Sequence, residues 1–261
     1  MITRLEVGVD TLESAMAAGW WPLEHEWLGS WLLRASAGFT GRGNSALPIG
    51  DPGVPVSEAI DRVETFYRKR DLPPRFSVPR PVVGDVASGR FIPTLIRRGY
   101  AMETPTAVMT ARAHAIADGP RDGVRILHEP DEGWLSLYRY RGKTLPPEAA
   151  KLLTSAPFQR FASVVDGDET VAVGRVAVGG GWGGITAMEV AEGHRRLGLG
   201  RRVLSALARQ ATFAGVGRLY LQVDARNRAA RTLYASAGFR DHHGYHYRVR
   251  HESDLTRAPC R

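Results

Sequence analysis

The chain is poor in the residues that staple or anchor proteins. It holds one cysteine, Cys260, in a tail that also carries Pro259. A single thiol cannot close an internal disulfide, and no histidine accompanies it, so cysteine nucleophilic chemistry is not expected. No apolar run approaches the ~18 residues of a membrane-spanning helix. The opening stretch MITRLEVGVDTLESAM carries acids and lacks the apolar centre of a secretory signal. These absences fit the cytosol. Lysine is scarce too, with Lys69, Lys143 and Lys151 alone, so nearly all of the 35 basic residues are arginine.

What is present is ordinary for a globular protein, with 43% hydrophobic and 24% charged residues. A length of 261 residues suggests one large or two small domains. The net charge of +8 is unevenly placed. Residues 1–120 hold 13 basic and 13 acidic residues, whereas 121–261 hold 22 and 14. Within 194–231 nine arginines face one acid, Asp224. A field of that sign steers and holds a polyanion. Nucleic acid is one candidate, given a pI near 10.0. The pattern speaks against it, because aromatic–basic interleaving, a recognition-helix motif and a basic tail are all missing.

The most informative segment is Val190-Ala191-Glu192-Gly193-His194-Arg195-Arg196-Leu197-Gly198-Leu199-Gly200. It leads from an apolar strand through a turn into an amphipathic helix. The first amides of such a helix lack intrahelical partners, and the helix dipole adds positive charge. Glycines let a diphosphate approach the backbone, and arginines add planar donor forks. No lysine follows these glycines, which excludes a P-loop. The third glycine of a dinucleotide fingerprint is missing as well. Downstream, RLYLQVD at 218–224 alternates as a strand, and Asn227 stands where an N-cap belongs. A helix with Ala230, Leu233 and Tyr234 follows and stops at Gly238-Phe239.

These two blocks, Arg195-x-x-Gly198-x-Gly200 and Leu221-x-Val223 through Asn227, Tyr234 and Gly238-Phe239, resemble the GNAT superfamily of acyl-CoA-dependent N-acyltransferases. The resemblance covers roughly residues 124–250. It implies an α/β (α+β) fold, with a mixed, mostly antiparallel sheet and helices on both faces. It also implies acetyl-CoA as co-substrate, direct transfer to a primary amine in a ternary complex, and no metal. Arg195, Arg196, Leu197, Gly198, Leu199, Gly200 and Arg201 would bind the diphosphate. The backbone from Met188 to Val190 would polarise the thioester carbonyl. Tyr234 would protonate the departing thiolate, unless it is a core aromatic. Glu189 would take the ammonium proton directly or through water, unless it only pairs with an arginine. Glu192 ranks below it, as an exposed loop residue. Asn227 would be a cap first and a ligand contact second. The acceptor stays open between a small molecule and a protein amine. A non-catalytic acyl-CoA-binding regulatory module is the alternative, and the sequence does not report oligomeric state.

The turn-rich stretch at 117–123 reads as a linker between residues 1–116 and a catalytic domain at 124–250, with a tail at 251–261. In the second part, strands at 124–128, 158–165, 170–178, 182–190 and 218–224 alternate with helices at 131–140, after Pro146, and at 197–215. Residues 239–249 close it with two strands. In the first part, 28–35 and 44–48 read as paired strands. A helix at 56–70, a short strand at 76–78, a helix at 91–98 and a strand at 106–110 follow. This order echoes the second part, and Arg98-Gly99-Tyr100 resembles the Ala237-Gly238-Phe239 stop. Residues 1–116 therefore read as a degenerate GNAT-like repeat, of the tandem type similar to actinobacterial chains. Gly50-Asp51-Pro52-Gly53 precedes its helix in place of an arginine–glycine loop, so one CoA site is expected. His242, His243 and His246 lack a fourth ligand for zinc and could instead line the acceptor pocket. Trp20, Trp21, Trp27 and Trp31 read as core or as a wall of that pocket.

Overall fold

The computed structural model describes residues 7–81, 90–139, 142 and 144–251. Tyr140, Cys260 and the tail at 252–261 lie outside them. Two compact units form, each from two stretches of chain. The first takes Met1–Trp21 and Ala107–His242, the second Pro22–Thr106 and His243–Arg261. The stretch at 117–123 lies inside the first unit, and the first 21 residues lie there with it. Turn formers make turns within a unit as readily as between two. Here they follow a short helix, Ala113–Ala117, whose Ala113 amide donates to the Gly217 carbonyl at 3.0 Å.

The first unit opens with α1 (Val9–Gly19). Its remaining elements include strands β5 (Val124–Leu127), β6 (Phe158–Asp166), β7 (Glu169–Gly179), β8 (Trp182–Val190) and β9 (Arg218–Asp224). Helices α5 (Glu132–Leu137), α6 (Ala149–Leu153), α7 (Leu199–Phe213) and α8 (Arg228–Ser236) accompany them; α4 is Ala113–Ala117. The strand order is β9-β8-β7-β6-β5. β5, β6, β7 and β8 pair antiparallel in turn, and β8 pairs parallel with β9. That parallel step needs a long crossover, which α7 supplies. The β7–β8 hairpin turns on Gly180 and Gly181, at φ +55° and +75°. Two successive left-handed residues suit a tight hairpin and favour glycine at both places.

Alternation along the strands gives the sheet two apolar faces. Val203, Leu207 and Ala211 of α7 approach the Cβ positions of Gly174 and Gly183. On the opposite face α1 lies so close that a Cβ on Gly179 would strike the Gly19 amide. Trp134 of α5 donates its indole N–H to the Gly174 carbonyl at 3.2 Å. Helices thus cover both faces of a mixed, mostly antiparallel sheet. Among the described residues no helix is long and apolar enough to cross a membrane.

The second unit is built on the hairpin of β1 (Glu24–Leu28) and β2 (Trp31–Ala35). α2 (Val56–Arg68), β3 (Arg75–Arg80), α3 (Phe91–Arg97) and the first half of β4 (Ala101–Arg112), up to Thr106, follow. β10 (Arg240–Val249) pairs antiparallel with β3 through Gly244–Val249. The element order is the expected hairpin–helix–strand–helix–strand. The hairpin partner is not, because β2 pairs with 24–28, and residue 47 makes only a single bridge to Leu32. The Gly29-Ser30 turn is shorter than the 38–43 loop and wins the pairing. The expected pair of closing strands is one strand, β10, since Gly244 continues the ladder instead of turning. The unit's core gathers Trp31, Phe76, Phe91 and Tyr100, with Trp31 and Phe91 edge to face at 5.5 Å.

The two glycine stops are built alike. Gly99 sits at φ +80°, with Tyr100 N donating to Leu95 O at 3.0 Å. Gly238 sits at φ +109°, with Phe239 N donating to Tyr234 O at 3.0 Å. Both are six-to-one closures of a helix C-terminus.

Candidate active site

β8 and β9 pair only at Gly183↔Leu219, Gly184↔Tyr220 and Ile185↔Leu221. β8 then runs on to Val190 and β9 to Asp224, so the two strands leave each other's ladder at their C-terminal ends. β8 also bulges there. Its register with β7 shifts between Val173 and Arg175, and Ala187 takes φ +54°. A bulge re-aims the residues that follow it and frees backbone groups from the ladder. Met188 turns its sulfur toward Gly174 and α7. Glu189, opposite Val173, is half-buried.

The loop after β8 is short and wound. Residues Glu192–His194 form a 3-10 turn, and Arg196 and Gly198 adopt φ +69° and +79°. Gly198 caps α7, and its carbonyl accepts from the Arg201 and Arg202 amides at 3.0 and 3.1 Å. The amides of Leu197, Gly198, Leu199 and Gly200 find no backbone acceptor among the described residues. That is the free donor set of a helix N-terminus, with the positive dipole end behind it. A Cβ on Gly200 would lie 3.3 Å from Leu233 and 3.7 Å from Val190, so the loop, β8 and α8 converge here. Leu197 is 61% exposed, so this side chain does not occupy the core.

Arg195 straps the loop to the strand. Its Nε donates to the Val190 carbonyl at 3.2 Å, and a terminal nitrogen lies 3.7 Å from the Glu189 carboxylate. Burial pushes the Glu189 carboxyl up, and the Arg195 charge opposes that shift. Tyr234 is 8% exposed, with its ring 6.0 Å from Phe239. Burial, and then the charge of Glu189, push its phenol up to about 12. The charge of Glu189 is felt at the Tyr234 phenol, although the two stand 45 residues apart in sequence.

Several expected residues meet here: Met188, Glu189, Val190, Arg195, Leu197, Gly198, Leu199, Gly200 and Tyr234. Arg201 points away, reaching the Ser236 carbonyl at 3.4 Å. Asn227 caps α8, accepting from the Ala230 amide at 3.0 Å, and Arg196 and Glu192 are exposed. The histidines divide between the units. His242 belongs to the first, His243 and His246 to the second. Among the described residues no metal-binding group forms. The tryptophans divide too, with Trp20 and Trp21 in the first unit and Trp27 and Trp31 in the second.

One residue escaped the sequence reading. Arg175, in the middle of β7, is fully buried. Its guanidinium donates to the Leu153 carbonyl at 2.6 Å and to the Gly19 carbonyl at 3.4 Å, and it lies 4.9 Å from the Trp20 ring centroid. The signal was a lone arginine inside the apolar run TVAVGRVAVG.

Comparison with known proteins gives this geometry a family. A family model described as the C-terminal part of the probable histone acetyltransferase Rv0428c matches residues 8–248. The chain belongs to this family. It is 31% identical to the probable histone acetyltransferase Rv0428c of Mycobacterium tuberculosis over 254 residues, covering 92% of this chain and 73% of that one. It is 29% identical to the uncharacterized N-acetyltransferase YobR of Bacillus subtilis over 252 residues, covering 92% and 97%. A solved GCN5-related N-acetyltransferase from Kribbella flavida aligns with a TM-score of 0.66 at 15% identity, over 95% of this chain and 99% of that one. A tandem GNAT protein from the clavulanic acid biosynthesis pathway aligns with a TM-score of 0.56 at 13% identity, over 74% and 69%. The fold is that of the GNAT superfamily, and family membership makes the chain an acetyltransferase.

Proposed function

We propose that this family member carries an acetyl group from acetyl-CoA to a primary amine, by direct attack in a ternary complex. The observation that carries the reading is the meeting of three chemistries where β8 leaves β9. These are four unpartnered amides, a carboxyl pushed up by burial, and a phenol held protonated. The amides of Leu197 to Gly200 and the Arg195 guanidinium suit the donor's diphosphate. Backbone N–H groups of Met188 to Val190, on the stretch where β8 has left β9, suit the developing oxyanion of the thioester carbonyl. Glu189 takes the ammonium proton, and the amine nitrogen then bonds to the carbonyl carbon. The carbon–sulfur bond breaks, and Tyr234 donates to the sulfur. The nitrogen loses its second proton as the amide forms, and that proton restores the Tyr234 phenol through solvent, so the one proton taken by Glu189 is released overall. The acceptor class stays open between small molecules and protein amines.

The second unit supports a degenerate repeat, because its elements follow the GNAT order while Gly50-Asp51-Pro52-Gly53 precedes α2. An aspartate there repels a diphosphate, so the reading holds one donor site, in the first unit.

Calorimetric titration with acetyl-CoA tests this, beside a Gly198→Glu variant. Gly198 sits at φ +79° with open space around it, so a side chain there strains the loop backbone but meets no core atom, and a thermal melt of the variant shows that its fold is kept. One-site binding that the variant loses at least tenfold, followed by thiol release with amine panels, supports transfer. Binding without thiol release to any amine points to a regulatory acyl-CoA module. No binding by the intact protein overturns the donor assignment.

A further inference from the structure

In the second unit, β10 places His246 opposite Val78, Arg248 opposite Phe76 and Gly244 opposite Arg80. Directly paired residues share a face, and alternate residues along a strand share it too. Arg80, His246 and Arg248 therefore project on one side of the sheet. His246 is 3% exposed, yet neither ring nitrogen has a hydrogen-bond partner among the described residues. The buried Nε of Arg248 lacks one as well. Its Nη1 reaches the Tyr100 carbonyl at a long 3.4 Å. The Nη2 of Arg80 reaches the Met102 sulfur at 3.8 Å, a weak acceptor.

No carboxylate among the described residues joins this group. Glu64 is taken by Arg250 at 3.0 Å, and Glu103 by His251 at 2.8 Å. Burial, then the charges of Arg80 and Arg248, push the His246 imidazole down to about 4. Arg80 and Arg248 repel one another beside an orphaned, uncharged ring, with no acid among the described residues to offset them. Buried polar atoms in folded proteins are rarely left without partners, and each exception asks for an explanation.

We propose that this face binds a small oxyanion, a carboxylate or phosphate group, between Arg80 and Arg248 above the His246 ring. Guanidinium forks match the planar spacing of oxyanion oxygens. The neutral imidazole adds one N–H donor, and its tautomer is free to follow the ligand. The strands β3 and β10 hold all three side chains on a rigid ladder. The site is separate from the donor loop, which belongs to the first unit, and it does not depend on the transferase reading.

The test uses the full chain with nitrogen-15-labelled histidine. His246 ring signals are assigned with His246→Gln. Sodium phosphate and sodium acetate are titrated separately at constant ionic strength, with chloride as the control. A saturable shift of the His246 ring nitrogens with either oxyanion, absent with chloride, is expected. The arm that saturates at lower concentration tells phosphate from carboxylate. The shift must persist in Gly198→Glu, which excludes an effect relayed from the donor loop. Arg80 is exposed, so Arg80→Met folds, and it should weaken the response about tenfold, as loss of one charge-assisted contact does. Ring signals that stay still in both arms, follow chloride equally or ignore Arg80→Met would overturn the proposal.

Discussion

Replacing Tyr234 by phenylalanine separates the chemical role of the hydroxyl from the packing of the ring. The ring meets Phe239 edge to face at 6.0 Å, and phenylalanine keeps that contact. The hydroxyl makes no hydrogen bond among the described residues. Removing it therefore leaves no orphaned partner, and stability should change by less than about 1 kcal/mol. For a protein of this size that is a melting shift of at most about 2–4 °C. Tyr234→Ala, by contrast, empties a buried aromatic site and should cost about 3–5 kcal/mol. Catalysis should fall in both variants, because both lose the hydroxyl, and in the phenylalanine variant it falls without a loss of fold. The phenol is held up to about 12, so it is fully protonated at neutral pH and able to donate. Loss of a general acid costs about 10²–10⁴ in rate, and a thiolate is an easy leaving group, so the lower end applies. A hundredfold fall in kcat corresponds to about 2.7 kcal/mol of barrier. Thiol release at saturating donor and acceptor reads kcat, and a thermal melt reads the fold. A phenylalanine variant that keeps kcat within threefold while melting normally refutes the acid role.

Glu189 sets an acid limb. Its carboxyl is pushed up by burial and pulled down by Arg195. As pH falls the carboxylate gains a proton and the base is lost, so kcat should decline toward acid pH. Arg195→Met removes the lowering charge and should move that limb to higher pH, measured at saturating donor. Movement to lower pH refutes the coupling. Asn227→Ala loses the α8 cap, and should cost about 1 kcal/mol, or about 2–4 °C. An unchanged melt would show that the 3.0 Å bond to the Ala230 amide contributes nothing.

The sequence read most clearly where local rules carry the structure. β8 and β9 have the expected bounds, because alternation and flanking turns specify them. Asn227 caps α8, and Gly238 ends it, as local hydrogen bonding requires. The turn at 195–200 was legible as a strand–helix junction because glycine supplies the left-handed residue that starts α7. Long-range pairing was less so. The partner of β2 depends on competition between two turns, and the sequence reading paired it with 44–48 and not with 24–28. The chain's first helix was not read at all, since its stability comes from β7 and not from strong local signals. Val9–Gly19 carries a weak, diffuse apolar face and no side-chain cap. The bulge at Ala187 also left no trace in the sequence, because alanine rarely marks a left-handed residue.

The arginine clasp of β7 has a consequence for synthesis. Gly19 and Arg175 are 156 residues apart in sequence, yet they meet in one buried cluster. At about 5–20 residues per second, the ribosome completes α1 roughly 8–30 s before its partner emerges. The second unit waits as well, since β3 gains its β10 neighbour only after residue 249. Vectorial folding therefore cannot finish the first segment before the second begins. Nascent α1, with Leu12 and Met16 still uncovered, stays available to chaperones throughout that interval.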